Sequence, residues 1–217
     1  MQFLKTKEVP TLSWSSPTRL TFRPPLRSFL ALVMGLFLFG LGEAMLVAAG
    51  LGVSPWTVFA QGIVVQTDLS LGAATFILSV GVLLLWWPLR QTPGVGTLMN
   101  AVIIAAVLEF VLPWLPRVEH LGIQSVYTVA GVLVTGIGSG IYLIANLGPG
   151  PRDGLMTGLQ AKLGWPISRV RSALEVSVVA IGFALGGTAG LGTLLFAFGI
   201  GPAVAFGLWI FTRIPSR

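Results

Sequence analysis

One pattern occurs twice in this chain, and both copies lie in apolar sequence. Leu51-Gly52-Val53-Ser54-Pro55, followed by Phe59 and Gly62, returns as Leu147-Gly148-Pro149-Gly150-Pro151, followed by Leu155 and Gly158. Gly94-Val95-Gly96-Thr97 returns as Gly190-Leu191-Gly192-Thr193. Gly52 and Gly148, like Gly96 and Gly192, are 96 residues apart, while Leu69-Ser70 answers Ile167-Ser168 at an offset of 98. The chain therefore divides into two related halves, about 29–115 and about 123–211. Gly/Pro-interrupted segments at matching positions of two halves are the sequence pointer to a transporter-like site at the repeat interface.

Composition decides where such halves can live. Charged residues are 9% of the chain and apolar ones 54%, against roughly 25% charged in soluble domains. This is an integral membrane protein, with one membrane domain over 29–217. The net charge of +6 comes from basic residues spread over short connections, without a basic face or a nucleic-acid-binding module, so nucleic acid is not an expected partner. Absence of cysteine and a single His120 exclude thiolate chemistry and a histidine pair for zinc. No cofactor is expected. Without a nucleotide-binding loop, a His/carboxylate cluster or a Ser/His/Asp set, neither ATP-driven work nor an enzyme is expected.

Residues 1–28 hold Lys5, Lys7, Arg19, Arg23 and Arg27 among Pro10, Pro17, Pro24 and Pro25. They read as a basic cytosolic tail, mostly disordered and near anionic lipid heads, rather than a signal peptide. Six apolar segments follow, near 29–50, 72–88, 96–115, 123–146, 170–187 and 191–211, and most reach the roughly 17–25 residues of a spanning helix. Two shorter pieces, 55–66 and 151–163, open with proline at a helix-start position. About twelve residues reach only about 18 Å, short of the roughly 30 Å hydrocarbon core, which makes them half-helices. With six spans, twelve Lys/Arg lie inside and only Arg117 outside; with eight, the division is eleven to two. Both satisfy the positive-inside rule, so helix length sets the count. Three spans per half turn the second half upside down. The expected fold is thus an all-α membrane protein of six transmembrane helices plus two short half-helices in two inverted-topology repeats, with both termini cytosolic.

Within that frame Gly148-Pro149-Gly150-Pro151-Arg152-Asp153-Gly154 is the most unusual stretch. A helix start offers free N–H groups and a positive dipole end, to which Arg152 adds charge, a setting for an anionic substrate group. The plainer alternative has Asp153 capping the helix and Arg152 snorkelling to headgroups. The matching hairpin has Ser54, Trp56 and Thr57 and no charge.

Three carboxylates fall in apolar runs, where an ionisable side chain is costly and so a candidate for function. Glu43 stands among Gly40, Gly42 and Ala44 with no basic residue in helical reach, and could relay a proton or bind a cation. Glu175 has Arg171 one turn earlier and can simply pair with it. Glu109 lies near Pro113 and the end of its span. Asn100 and Asn146 sit where backbone is expected to be irregular, and either can bond a substrate or satisfy carbonyls. The candidate substrate-binding residues are therefore Glu43, Ser54, Asn100, Asn146, Arg152, Asp153 and Glu175. Gly136 with Gly140, and Gly182 with Gly186, make flat helix faces for contacts within the fold, with a homodimer as the other use. Trp86, Trp87, Trp114 and Trp209 read as interface anchors.

The Leu-Gly-x-x-Pro hairpins with the two Gly-x-Gly-Thr hairpins resemble the bacterial YczE/YyaS/YitT family of membrane proteins, from about Phe29 to Phe211. The resemblance implies a multi-spanning inner-membrane protein with a transport role and no assigned substrate, and it supplies no catalytic residue to carry over. The expected function is a small-molecule secondary transporter in contact with membrane lipids. The competing expectation is a non-transporting accessory or scaffold, and an internal polar cavity joining the two hairpins would separate them.

Overall fold

The computed structural model describes residues 9–213. All regular elements among them are helical: α1 (Leu26–Ala49), α2 (Pro55–Gln66), α3 (Leu71–Leu84), α4 (Val95–Phe110), α5 (Leu121–Ile144), α6 (Pro151–Leu163), α7 (Ile167–Ala184) and α8 (Leu191–Arg213), with a short 3-10 turn at Leu112–Trp114. The two short helices begin at Pro55 and Pro151, as their sequences predict.

Four helices are long and apolar enough to cross a membrane: Leu26–Ala49, Val95–Trp114, Leu121–Ile144 and Leu191–Arg213. The bent pair α2–α3, folded by 115°, makes a fifth if taken as one span. The expected count of six departs from this for two physical reasons. The segment 72–88 is helical only to Leu84, about 21 Å of rise. Helix α7 carries Arg169, Arg171 and Glu175 in its first half, which lowers its apolar character. The protein is all-helical and built for a membrane, and outward side chains such as Phe198, Phe183, Val126 and Leu194 are exposed and apolar.

Helices α1 and α5 pack along each other at the centre, α4 lies on α1, and α8 lies on α5. The short helix α2 packs mainly on α7 of the other half, and α6 packs on both α7 and α3. Lipid is as apolar as leucine, so close van der Waals approach rather than burial from water holds such helices together. Small residues supply that approach. A Cβ on Gly40 would meet Val107 at 2.8 Å, and one on Gly136 would overlap Ala203. Gly140 packs likewise on Gly207, and Gly182 on the backbone of Val58 and Phe59. These flat faces are used inside the fold.

The duplicated motifs meet each other rather than themselves. Gly96 N–H donates to the carbonyl of Leu147 at 2.7 Å, and Gly192 N–H to the carbonyl of Leu51 at 2.7 Å. Gly52 and Gly148 both take φ +110, a left-handed backbone open to glycine. Their missing side chains admit the start of the partner helix: a Cβ on Gly52 would lie 2.6 Å from Gly190 N, and one on Gly148 3.1 Å from Gly94 Cα. Thr97 and Thr193 each receive a hydrogen bond from the glycine three residues before, at 3.1 and 3.2 Å.

The expected disordered tail is corrected over residues 9–25. Ser16 is buried, its N–H donates to the Ala145 carbonyl, and Ser28 Oγ donates to the Trp14 carbonyl. Lys5 and Lys7 lie outside the described residues. Of the four tryptophans, Trp87 and Trp114 are exposed, and Trp209 is partly so with Arg213 over its ring. Trp86 is not an interface anchor: it is buried and donates through Nε1 to the Pro151 carbonyl at 2.9 Å, its ring filling the space beside Gly154.

Candidate functional site: a cavity between the two short helices

A cavity of about 400 Å³ opens where the first turns of α2 and α6 approach each other. Trp56 borders it from α2, Gly150, Arg152 and Asp153 from the start of α6, and Phe39, Asn100, Tyr142 and Ile200 from the long helices. Three pairs in its lining, Trp56 with Arg152, Asn100 with Phe196, and Ile104 with Ile200, are 96 residues apart in the chain.

Arg152 lies over its own counterpart, with its guanidinium carbon 5.3 Å from the centre of the Trp56 ring. An arginine within about 6 Å of an indole face is held by the ring quadrupole. The side chain therefore lines the cavity, as the anion-cradle alternative requires. Asp153 makes no cap: helix α6 has no side-chain cap bond, and the Asp153 carboxylate instead accepts the Tyr142 hydroxyl at 2.7 Å. Asn100 is close by, its amide nitrogen 3.2 Å from where a Cβ on Gly150 would sit.

Glu43 is buried at the other side of the Trp56 turn. Its Oε2 accepts from Ser54 Oγ at 2.6 Å and from Thr57 Oγ1 at 2.6 Å, while Oε1 is buried without a partner. Ser54 precedes Pro55 and Thr57 follows Trp56, so Glu43 grips the start of α2 through both hydroxyls.

Glu175 lines the cavity and pairs with Arg171 at 2.8 Å across one helical turn, worth about 0.3–0.5 kcal/mol for a surface pair. Asn146 is not brought to the site. It follows α5 at φ +55, a conformation asparagine tolerates, and its amide binds the N-terminal segment: Nδ2 donates to the Ser16 carbonyl and Oδ1 accepts from Arg19 Nε. Glu109 lies apart as well, accepting from Ser70 Oγ, the residue that caps α3. Six of the seven candidates, all but Asn146, thus gather around the cavity or the turn beside it, Glu175 together with its partner Arg171. Trp56 and Tyr142 complete it and were not singled out from the sequence. The signal for Trp56 was its place 96 residues before Arg152; Tyr142 carries no such mark.

The sequence pattern of a Family of unknown function (DUF6198) matches residues 26–208. The chain belongs to this family. It is 40% identical over 211 residues to an "Uncharacterized protein" of Haemophilus influenzae, covering 97% of this chain and 96% of the relative. It is also similar to the "Uncharacterized membrane protein YczE" of Bacillus subtilis, 31% identical over 178 residues, 80% of this chain and 82% of that protein. This agrees with the resemblance read from the hairpins. No solved structure matches the chain.

Proposed function

We propose that the protein is a small secondary transporter of a bacterial inner membrane, its termini cytosolic, working by alternating access of two inverted repeats around the Trp56–Arg152 cavity. The observation that carries this reading is that the cavity borders the first turns of both short helices and is lined by residues 96 apart in the chain. Transporters built from inverted repeats bind at such an interface, between discontinuous helices whose ends face the substrate. The packing of α2 on α7 and the contact of α6 with α3 link each short helix to the other half, so that displacing α2 would carry α7 with it. A non-transporting scaffold has no use for an apolar cavity with a few polar groups between the hairpins.

Glu43 is the coupling residue in this reading. Its unpartnered Oε1 is the position for a transferable proton, and its Oε2 ties that proton to the pose of α2 through Ser54 and Thr57. Movement of α2 would change the contacts of the carboxyl, the link that a proton-driven cycle needs.

The test is uptake into proteoliposomes loaded with buffer and bathed in a bacterial metabolite extract, read by mass spectrometry. Enrichment of a solute by the wild-type protein, lost in Glu43→Gln and Arg152→Gln variants that remain folded, is the expected result. No solute enriched above empty liposomes, together with a stoichiometric protein partner retained from mildly solubilised membranes, would replace transport by the scaffold role.

A further inference from the structure

The polar groups around the cavity are unequally engaged. Arg171 and Glu175 neutralise each other in the one ion pair among the described residues. The Asp153 carboxylate is occupied by Tyr142, and Glu43 Oε2 by two hydroxyls. Three donors are left. The Arg152 guanidinium has only the Trp56 ring beneath it, and the Asn100 amide has no hydrogen-bond partner among the described residues although it lines the cavity. The Trp56 indole N–H is buried with no acceptor. A buried donor without a partner loses its hydration and gains nothing in return, so such groups point to an acceptor that arrives from elsewhere.

The rest of the wall is apolar. Phe39, Ile104, Met156, Phe196, Ile200 and Val204 line it, and a volume of about 400 Å³ is in the range of small-molecule sites. One guanidinium, with the Asp153 carboxylate beside it in the same wall, suits a single negative charge better than a dianion. Its planar fork matches a carboxylate. We infer that the cavity binds a small organic monocarboxylate, its head on Arg152 and Asn100 beside the Trp56 N–H, and its apolar body against Ile104, Phe196, Ile200 and Val204. This assignment names the substrate class of the transport reading and rests on it.

Binding to the purified full-length protein tests this without a transport assay. The probes are 3-phenylpropionate, its neutral alcohol 3-phenylpropanol, its cationic counterpart 3-phenylpropylamine, and inorganic phosphate, each followed by thermal stabilisation in detergent and by isothermal titration. The carboxylate alone should stabilise the protein. Arg152→Gln should weaken its binding by roughly tenfold or more, and Arg152→Lys by less. Stabilisation by the amine rather than the acid would reverse the sign of the site and overturn the proposal, as would equal binding of acid and alcohol or of acid to wild type and Arg152→Gln. No binding of any probe at millimolar concentration also overturns it. Tight, Arg152-dependent binding of the acid with no uptake of it or any other solute into liposomes would sustain the ligand class and remove transport. Uptake of a different solute with no acid binding would do the reverse.

Discussion

Gly35 and Gly138 press into each other's backbone: a Cβ on Gly35 would lie 2.8 Å from the Gly138 carbonyl oxygen, and one on Gly138 2.5 Å from the Gly35 carbonyl oxygen. Backbone on both sides means that neither can yield, unlike the tip of a flexible side chain. Gly35→Leu or Gly138→Leu should therefore separate α1 from α5 and cost on the order of 3 kcal/mol or more. Gly81, with nothing within 4 Å of its Cβ position, is the control, and Gly81→Ala should stabilise α3 by about 0.5–1 kcal/mol. Thermal unfolding in one detergent compares all three.

Glu43→Ala should destabilise the start of α2, since Ser54 and Thr57 would keep their buried hydroxyls and lose their acceptor. The cost is about 1–3 kcal/mol per group left unpaired. Glu43→Gln retains an accepting oxygen and should unfold close to the wild type. The two variants part in transport: an inward proton gradient should drive uptake by the wild type and fail to drive it in Glu43→Gln, which has no carboxyl to carry the proton. The other charged groups near it, Arg152, Asp153, Arg171 and Glu175, are retained in the comparison. Gradient-driven uptake unchanged in Glu43→Gln would take this residue out of the coupling.

Tyr142→Phe should leave Asp153 without its hydroxyl donor and free to turn its charge on Arg152. Monocarboxylate affinity should then fall by about tenfold, the scale of a hydrogen bond to a charged group. Asp153→Asn combined with Tyr142→Phe should recover most of the loss, and titration calorimetry on the two variants gives the answer.

Topology is testable because the chain has no cysteine. Asp68 in the α2–α3 turn and Ser168 at the start of α7 are both exposed. In six-span inverted halves, Asp68→Cys should react with a membrane-impermeant maleimide from outside the cell and Ser168→Cys only from inside. Reaction of both from the inside would favour eight spans and a parallel repeat.

What was legible in the sequence was whatever recurs. The offset of 96 residues located the hairpins and the proline starts of α2 and α6, and the four-residue spacing of Gly136 and Gly140 marked them as close-packing positions. Glu43 was legible for a local reason: a carboxylate among glycines and alanine in an apolar helix has to be enclosed by protein. Of the two uses open to Asn146, the structure shows the satisfying of a carbonyl, from a left-handed turn with two bonds to residues about 130 positions away, and nothing near it in the chain announces the segment that returns there. Trp86 was misread, since a tryptophan at a span end looks the same whether it meets headgroups or the Pro151 carbonyl. The span count was least legible where helix ends depend on tertiary context, in the loosened turns after Leu84.

The Leu51–Gly192 and Leu147–Gly96 hydrogen bonds carry a consequence for the origin and assembly of the chain. Each half ends its first long helix in a latch and begins its last with a catch, and each latch closes on the other half's catch. A half on its own would present both parts to solvent or lipid with nothing to engage, but two copies of one half, set in opposite directions, could fasten each other. A polypeptide cut in the link between Trp114 and Leu121 should accordingly reassemble when both pieces are made in the same cell, and neither piece should persist alone.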